Sequence, residues 1–149
     1  MDVMKISISF KSTFVYLICL LFVSLFIYAA VSKILDYENF RVQLAQSPLL
    51  SAFARYVAWG VPAFEILISI LLLSEKWRTV GLFSAFGLMV MFTTYIYIIL
   101  NFSSFVPCSC GGVLEKMTWN QHLVFNLAFI ILGGIAALVQ SSNFQYNLS

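Results

Sequence analysis

Residues 12–32 read STFVYLICLLFVSLFIYAAVS, twenty-one positions without a formal charge between Lys11 and Lys33. About 20 such residues cross the hydrocarbon core of a bilayer as helix, since every backbone group must find its partner inside the segment. The stretch is too long for a removable signal peptide and lacks a small-residue cleavage site in the right place. It reads as a signal anchor that stays in the protein.

The same pattern recurs along the chain. Tyr56 to Ser74 gives a second span of nineteen residues, interrupted only by Glu65. A third runs over about 79–101 and a fourth over about 119–140, and the Ser/Asn/Gln-rich tail beyond is expected to be a short disordered end. Composition agrees: 62% of the 149 residues are hydrophobic, 9% are charged and mean hydropathy is +0.97. A soluble domain carries about 25% charged residues. A soluble enzyme, a disordered chain and a nucleic-acid binder are excluded, since a net charge of +2 holds no basic run to grip phosphates. The expected fold is all-α, a four-helix transmembrane bundle forming one domain over 1–149, with lipid as its surroundings.

Four crossings place both termini and the Glu75–Arg78 turn on one side of the membrane. The 33–55 and 102–118 connections share the other. Positive charge does not orient the bundle, because Lys5, Lys11, Lys76 and Arg78 balance Lys33, Arg41, Arg55 and Lys116. The 33–55 connection is expected to hold a short interfacial helix capped by Asp36 and carrying Phe40 and Leu44. Ser47-Pro48 then reads as an N-cap with proline at the first helical position.

The three cysteines are of two kinds. Cys19, inside the first span, reads as a small buried hydrophobe. Cys108 and Cys110 stand in Val-Pro-Cys-Ser-Cys-Gly-Gly at a mouth of the bundle. Cysteines two apart can form a disulfide only in a tight, strained turn, which makes the bond easy to break and re-form. Gly111 and Gly112 leave room for a partner's backbone. Redox exchange is one reading. A metal site of Cys108, Cys110 and His122, with Met117 or Glu115 as fourth ligand and copper or zinc as the ion, is another. A structural or idle pair is the third, and the residues leave all three open.

Thr118-Trp119-Asn120-Gln121 reads as a capping box opening the fourth helix. His122 then lies one turn inside, with Asn126 on the same face at i+4. His122, the sole histidine, is close enough in sequence to face the cysteine turn and favour thiolate there. Glu65 has nine uncharged residues on each side of it within its span. Intramembrane carboxylates face the bundle interior with a partner, and the candidates are His122, Asn126, Tyr95 and Lys33. Gly60 and Pro62 upstream are expected to loosen or kink the helix and open space around it. Glu65 is expected either to relay protons with His122 or to serve as a neutral interhelical link.

Several of these segments resemble a known family. Ala29-Ala30-Val31-Ser32-Lys33-Ile34-Leu35-Asp36 with Phe40, and Trp59-Gly60-Val61-Pro62-Ala63-Phe64-Glu65, are similar to the first and second helices of DoxX-like proteins. Pro107-Cys108-Ser109-Cys110-Gly111-Gly112, with Trp119 and His122-Leu123, resembles the MauE branch, the methylamine-utilisation membrane proteins. The resemblance covers about 12–140. It implies a redox-associated protein of the bacterial inner membrane that matures exported cysteine-containing proteins, with a periplasmic thioredoxin-like partner. Catalytic roles then fall to Cys108, Cys110, His122 and Glu65. The cysteine mouth would face the periplasm and both termini the cytoplasm. No cofactor is assigned outright; a quinone or another protein is the expected electron acceptor. Neither the direction of electron flow nor the attacking cysteine is legible.

Overall fold

The computed structural model describes residues 2–102 and 118–148, with side chains over 10–102 and 118–142. The described residues form α1 (Asp2–Leu35), α2 (Tyr37–Gln46), a single 3-10 turn (Ser51–Phe53), α3 (Ala54–Leu73), α4 (Arg78–Phe102) and α5 (Trp119–Leu148). Four segments are long and apolar enough to cross a membrane: Phe10–Leu35, Ser51–Leu73, Arg78–Phe102 and Trp119–Ser142. They match the four expected spans to within a few residues. The all-α four-helix bundle and its short extra helix are present.

Packing follows chain order around a ring. α1 lies against α3, α3 against α4, α4 against α5, and α5 closes back on α1. Successive spans are therefore antiparallel neighbours. Leu17, Phe64, Leu67, Ile131 and Leu138 face outward and are exposed. In water such a surface would aggregate; in lipid it is the required one.

Lipid tails are as apolar as leucine, so close packing, not water exclusion, holds membrane helices together. Phe22, fully buried on α1, is the central knob. Its ring meets Phe129 of α5 edge-on, with centroids 5.2 Å apart and planes at 86°. A Cβ at Gly133 would come within 3.0 Å of the Phe22 ring, so glycine there lets α5 close on α1. Cys19 is buried in the same core as a free thiol, as its surroundings in the sequence imply.

α2 lies on the first half of α3, with Phe40 and Leu44 buried against Ala54 and Ala58. Its outer face carries Glu38 and Arg41, paired at 2.8 Å. The expected caps differ. Asp36 does stand at the N-cap of α2, but its carboxylate accepts from the Asn39 side-chain amide at 2.7 Å instead of from a backbone N–H. Ser47 ends α2, and its carbonyl, not its hydroxyl, starts the next turn by accepting from the Ser51 N–H at 3.0 Å. The Ser47 hydroxyl is buried without a hydrogen-bond partner.

α3 runs through Pro62 as one continuous helix. One further expectation needs correction. The expected disordered tail is helical to Leu148, because no glycine or proline follows Gly134 to stop it.

Among the described glycines the tightest approach is at Gly81, where a Cβ would lie 2.9 Å from the Leu72 backbone nitrogen. Backbone cannot swing aside as a side chain can. Gly81→Ala is expected to destabilise by about 1–3 kcal/mol, the usual range for overpacking. Gly87→Ala, where a Cβ meets nothing within 4 Å, is expected to be neutral or to stabilise by up to about 1 kcal/mol through helix propensity. Thermal unfolding of both variants in micelles checks the contrast.

Candidate functional site

Glu65 sits midway along α3 and is completely buried. Its partner is Lys33, in the last turn of α1, whose Nζ donates to Glu65 Oε1 at 2.6 Å. The lysine's four-carbon stem lets the ammonium reach back from the helix end into the bundle. The pair is nearly dry, with side-chain exposures of 14% for Lys33 and 1% for Glu65.

Two rings complete this node. Lys33 Nζ lies 6.0 Å from the Phe40 centroid and 5.7 Å from the Phe92 centroid. A cation over an aromatic face is held by the ring quadrupole, worth about 2 kcal/mol when desolvated. One ammonium thus joins α1 to α3 by charge and touches α2 and α4 through rings. Ser69, one turn on from Glu65, turns its hydroxyl to the Glu65 carbonyl at 2.8 Å. Glu65 Oε2 is buried without a hydrogen-bond partner.

His122 lies in the first turn of α5, within electrostatic reach of the Lys33 ammonium. The capping box that begins α5 is formed as the sequence implies: the Thr118 N–H donates to Gln121 Oε1 at 3.0 Å, and the Gln121 N–H to Thr118 Oγ1 at 3.4 Å. It fixes the first turn, in which His122 stacks on Trp119 with centroids 6.3 Å apart and planes at 16°. Asn126, one turn deeper, is buried, and its Nδ2 has no partner. Of the four candidate partners for Glu65, the structure brings only Lys33 into an ion pair with it. Thr93 and Thr94 turn their hydroxyls to carbonyls of their own helix, at 2.7 and 2.8 Å.

Cys108 and Cys110 lie outside the described residues, as do Glu115 and Met117. Among the described residues no three His, Cys, Asp or Glu converge as metal ligands. The connection that carries the cysteines leaves α4 and enters α5 at the bundle end where α1 terminates, so it shares that end with the Lys33 node. Lys33 is the residue that the sequence undervalued. Its signal was position: a cation closing an apolar span, beside an acid too deep to face water.

Breaking a buried pair strands the partner, which costs about 3–5 kcal/mol, whereas replacing both members by apolar groups costs far less. Lys33→Met and Glu65→Leu are each expected to lower the unfolding midpoint in micelles. The double variant should recover part of the loss, with a coupling of about 0.5–3 kcal/mol. Additive losses would show that the two side chains act independently.

Comparison with known proteins adds the family. No curated protein sequence and no solved structure matches the chain. Residues 11–139 match the family described as methylamine utilisation protein MauE, and the match takes in nearly all of the four spans, the cysteine segment and His122. The chain belongs to the MauE family and is a multi-pass membrane protein.

Proposed function

We propose that this protein is a thiol–disulfide exchanger of a bacterial inner membrane, working through Cys108 and Cys110. The observation that carries the reading is the Cys-Ser-Cys-Gly-Gly segment within a MauE-family chain, on the connection that leads directly into α5. In the direction that matures exported proteins, a thiolate of a periplasmic thioredoxin-like partner attacks the Cys108–Cys110 disulfide. A mixed disulfide forms and one cysteine leaves as thiolate. The partner's second thiolate then displaces the other, so the partner departs oxidised and this chain holds two thiols. Electron flow in the reverse direction uses the same bonds.

Two features of the described residues support the chemistry. α5 begins immediately after the cysteine connection, and a helix N-terminus favours negative charge nearby. A thiolate brought to that helix end would be stabilised, which would favour the cysteine that leaves the disulfide. His122, held by its stack on Trp119 in the first turn of α5, is the proton carrier for the thiols in this reading. Glu65 enters this reading as the residue that positions Lys33, since its carboxylate is engaged with that ammonium. An oxidising compartment is the place for such a pair, which orients the cysteine mouth to the periplasm and both termini to the cytoplasm. The DoxX-like kinship read from the first two spans is consistent with a redox role. The domain is proposed to extend over 1–149.

Single-cysteine trapping tests the proposal. Either Cys108→Ser or Cys110→Ser, expressed in cells, is expected to retain a partner as a mixed disulfide that dithiothreitol releases. Failure of both variants to trap any protein, together with tight stoichiometric binding of copper or zinc by the unsubstituted chain, would replace exchange with metal handling.

A further inference from the structure

Glu75, Lys76, Trp77 and Arg78 join α3 to α4 at the end of the bundle opposite the cysteine connection. Backbone bonds fix this turn. The Ser74 carbonyl accepts from the Trp77 N–H at 3.2 Å, and the Trp77 carbonyl from the Gly81 N–H at 2.9 Å. Both cations of the turn are held near rings. Arg78, half-buried, donates from Nε to the Leu72 carbonyl at 3.4 Å and lies 5.7 Å from the Tyr16 ring of α1. Lys76 Nζ lies 5.5 Å from the Trp77 ring. Among the described residues the ion pairs are Lys33–Glu65 and Arg41–Glu38. Neither cation of the turn is therefore paired, although Glu75 stands beside them in sequence.

Capping the end of α3 explains only part of Arg78. That role uses Nε, on one of the last carbonyls of the helix. A guanidinium has five N–H donors in a planar fork. The four on its terminal nitrogens have no partner among the described residues. With Nε tied to backbone and Cζ close to the Tyr16 ring, the fork is held in place, the condition that suits bidentate binding of a phosphate. Lys76, exposed in the same turn, adds a second positive charge. The depth also fits. Tyr16 and Trp77 are each about half exposed, and such amphipathic rings sit at headgroup level. Just inward, Leu17, Leu73 and Phe83 of α1, α3 and α4 are exposed apolar side chains. Free phosphate would meet only the cations, whereas a phospholipid would meet both the cations and this apolar surface.

We propose that the α3–α4 turn binds the headgroup of an anionic phospholipid, its phosphate accepting from the terminal nitrogens of Arg78 and from Lys76. The acyl chains lie against the apolar side chains just inward. The site is built from residues independent of the cysteines and of the Lys33–Glu65 pair, so it stands whether or not the protein exchanges disulfides. In the orientation proposed above it faces the cytoplasmic leaflet, whose anionic lipids attract basic residues at the membrane surface. Arg78 already touches α1 and α3 from the first turn of α4. A headgroup on its fork adds to the contact that joins three helices at this end, and a ligand that binds only the folded bundle stabilises it.

The test uses full-length protein, delipidated in neutral detergent and titrated separately with phosphatidylglycerol and phosphatidylcholine, with bound lipid counted by native mass spectrometry. Phosphatidylglycerol is expected to bind at least fivefold more tightly and to raise the unfolding midpoint. Lys76→Gln, an exposed change that leaves the fold intact, is expected to weaken its binding about fivefold, the usual contribution of one basic residue at an anionic surface. Arg78→Gln should weaken it further. Arg55→Gln, which removes an exposed charge at the opposite end of the bundle, should leave it unchanged. Equal affinity for the two lipids would overturn the site. So would a loss in Arg55→Gln as large as in Lys76→Gln, which would reduce the effect to net charge. Excess inorganic phosphate should not displace the lipid; displacement would assign the turn to free phosphate and overturn the lipid site.

Discussion

One buried ion pair organises this bundle. Membrane helices gain little from excluding water, so specific contacts must choose which faces meet. The Lys33–Glu65 pair makes that choice for α1 and α3, because a carboxylate at the middle of α3 has no tolerable alternative in lipid. Rotating α3 away would expose Glu65 to hydrocarbon. The same ammonium meets rings on α2 and α4, so the register of four elements converges on one nitrogen. Close packing around Phe22 and Gly133 then fixes α5 against α1.

That arrangement concentrates polar chemistry at one end of an apolar protein. The end of α1, the short helix α2, the start of α3 and the cysteine connection all lie there. The opposite end has the tight turn before α4, where Arg78 reaches back to the Leu72 carbonyl and lies 5.7 Å from the Tyr16 ring. The asymmetry is chemical as well as geometric. One end is closed by a short turn and a tight glycine contact at Gly81, while the other carries the longer 33–55 and 102–118 connections, the second with Cys108 and Cys110 in its sequence.

The fold was legible because hydrophobic length is a local property. Each span could be read from its own residues, and the Thr118–Gln121 capping box from four letters. Glu65 was conspicuous for the same reason. Its partner was not, because four candidates fitted the sequence and only the rotation of α3 against α1 selects Lys33. The N-cap position of Asp36 was read correctly but its bond was not, because the carboxylate takes the Asn39 amide; Ser47 was misread because it closes α2 through its backbone. The helical end of α5 was missed by treating polar composition as a stop signal. Gly60 and Pro62 pointed to open space near Glu65, and a Cβ at Gly60 meets nothing within 4 Å; the same openness at Gly87 had no sequence signal.

The account rests on a bundle whose cysteine connection and Glu75–Arg78 turn lie on opposite faces of the membrane. Labelling intact cells with a membrane-impermeant maleimide after mild reduction tests this most directly. Cys108 and Cys110 are predicted to react from outside. A cysteine placed at Lys76, in a background lacking Cys108 and Cys110, should react only once the membrane is permeabilised. Labelling of both sites from the same side would contradict the four-crossing arrangement and the shared mouth built on it.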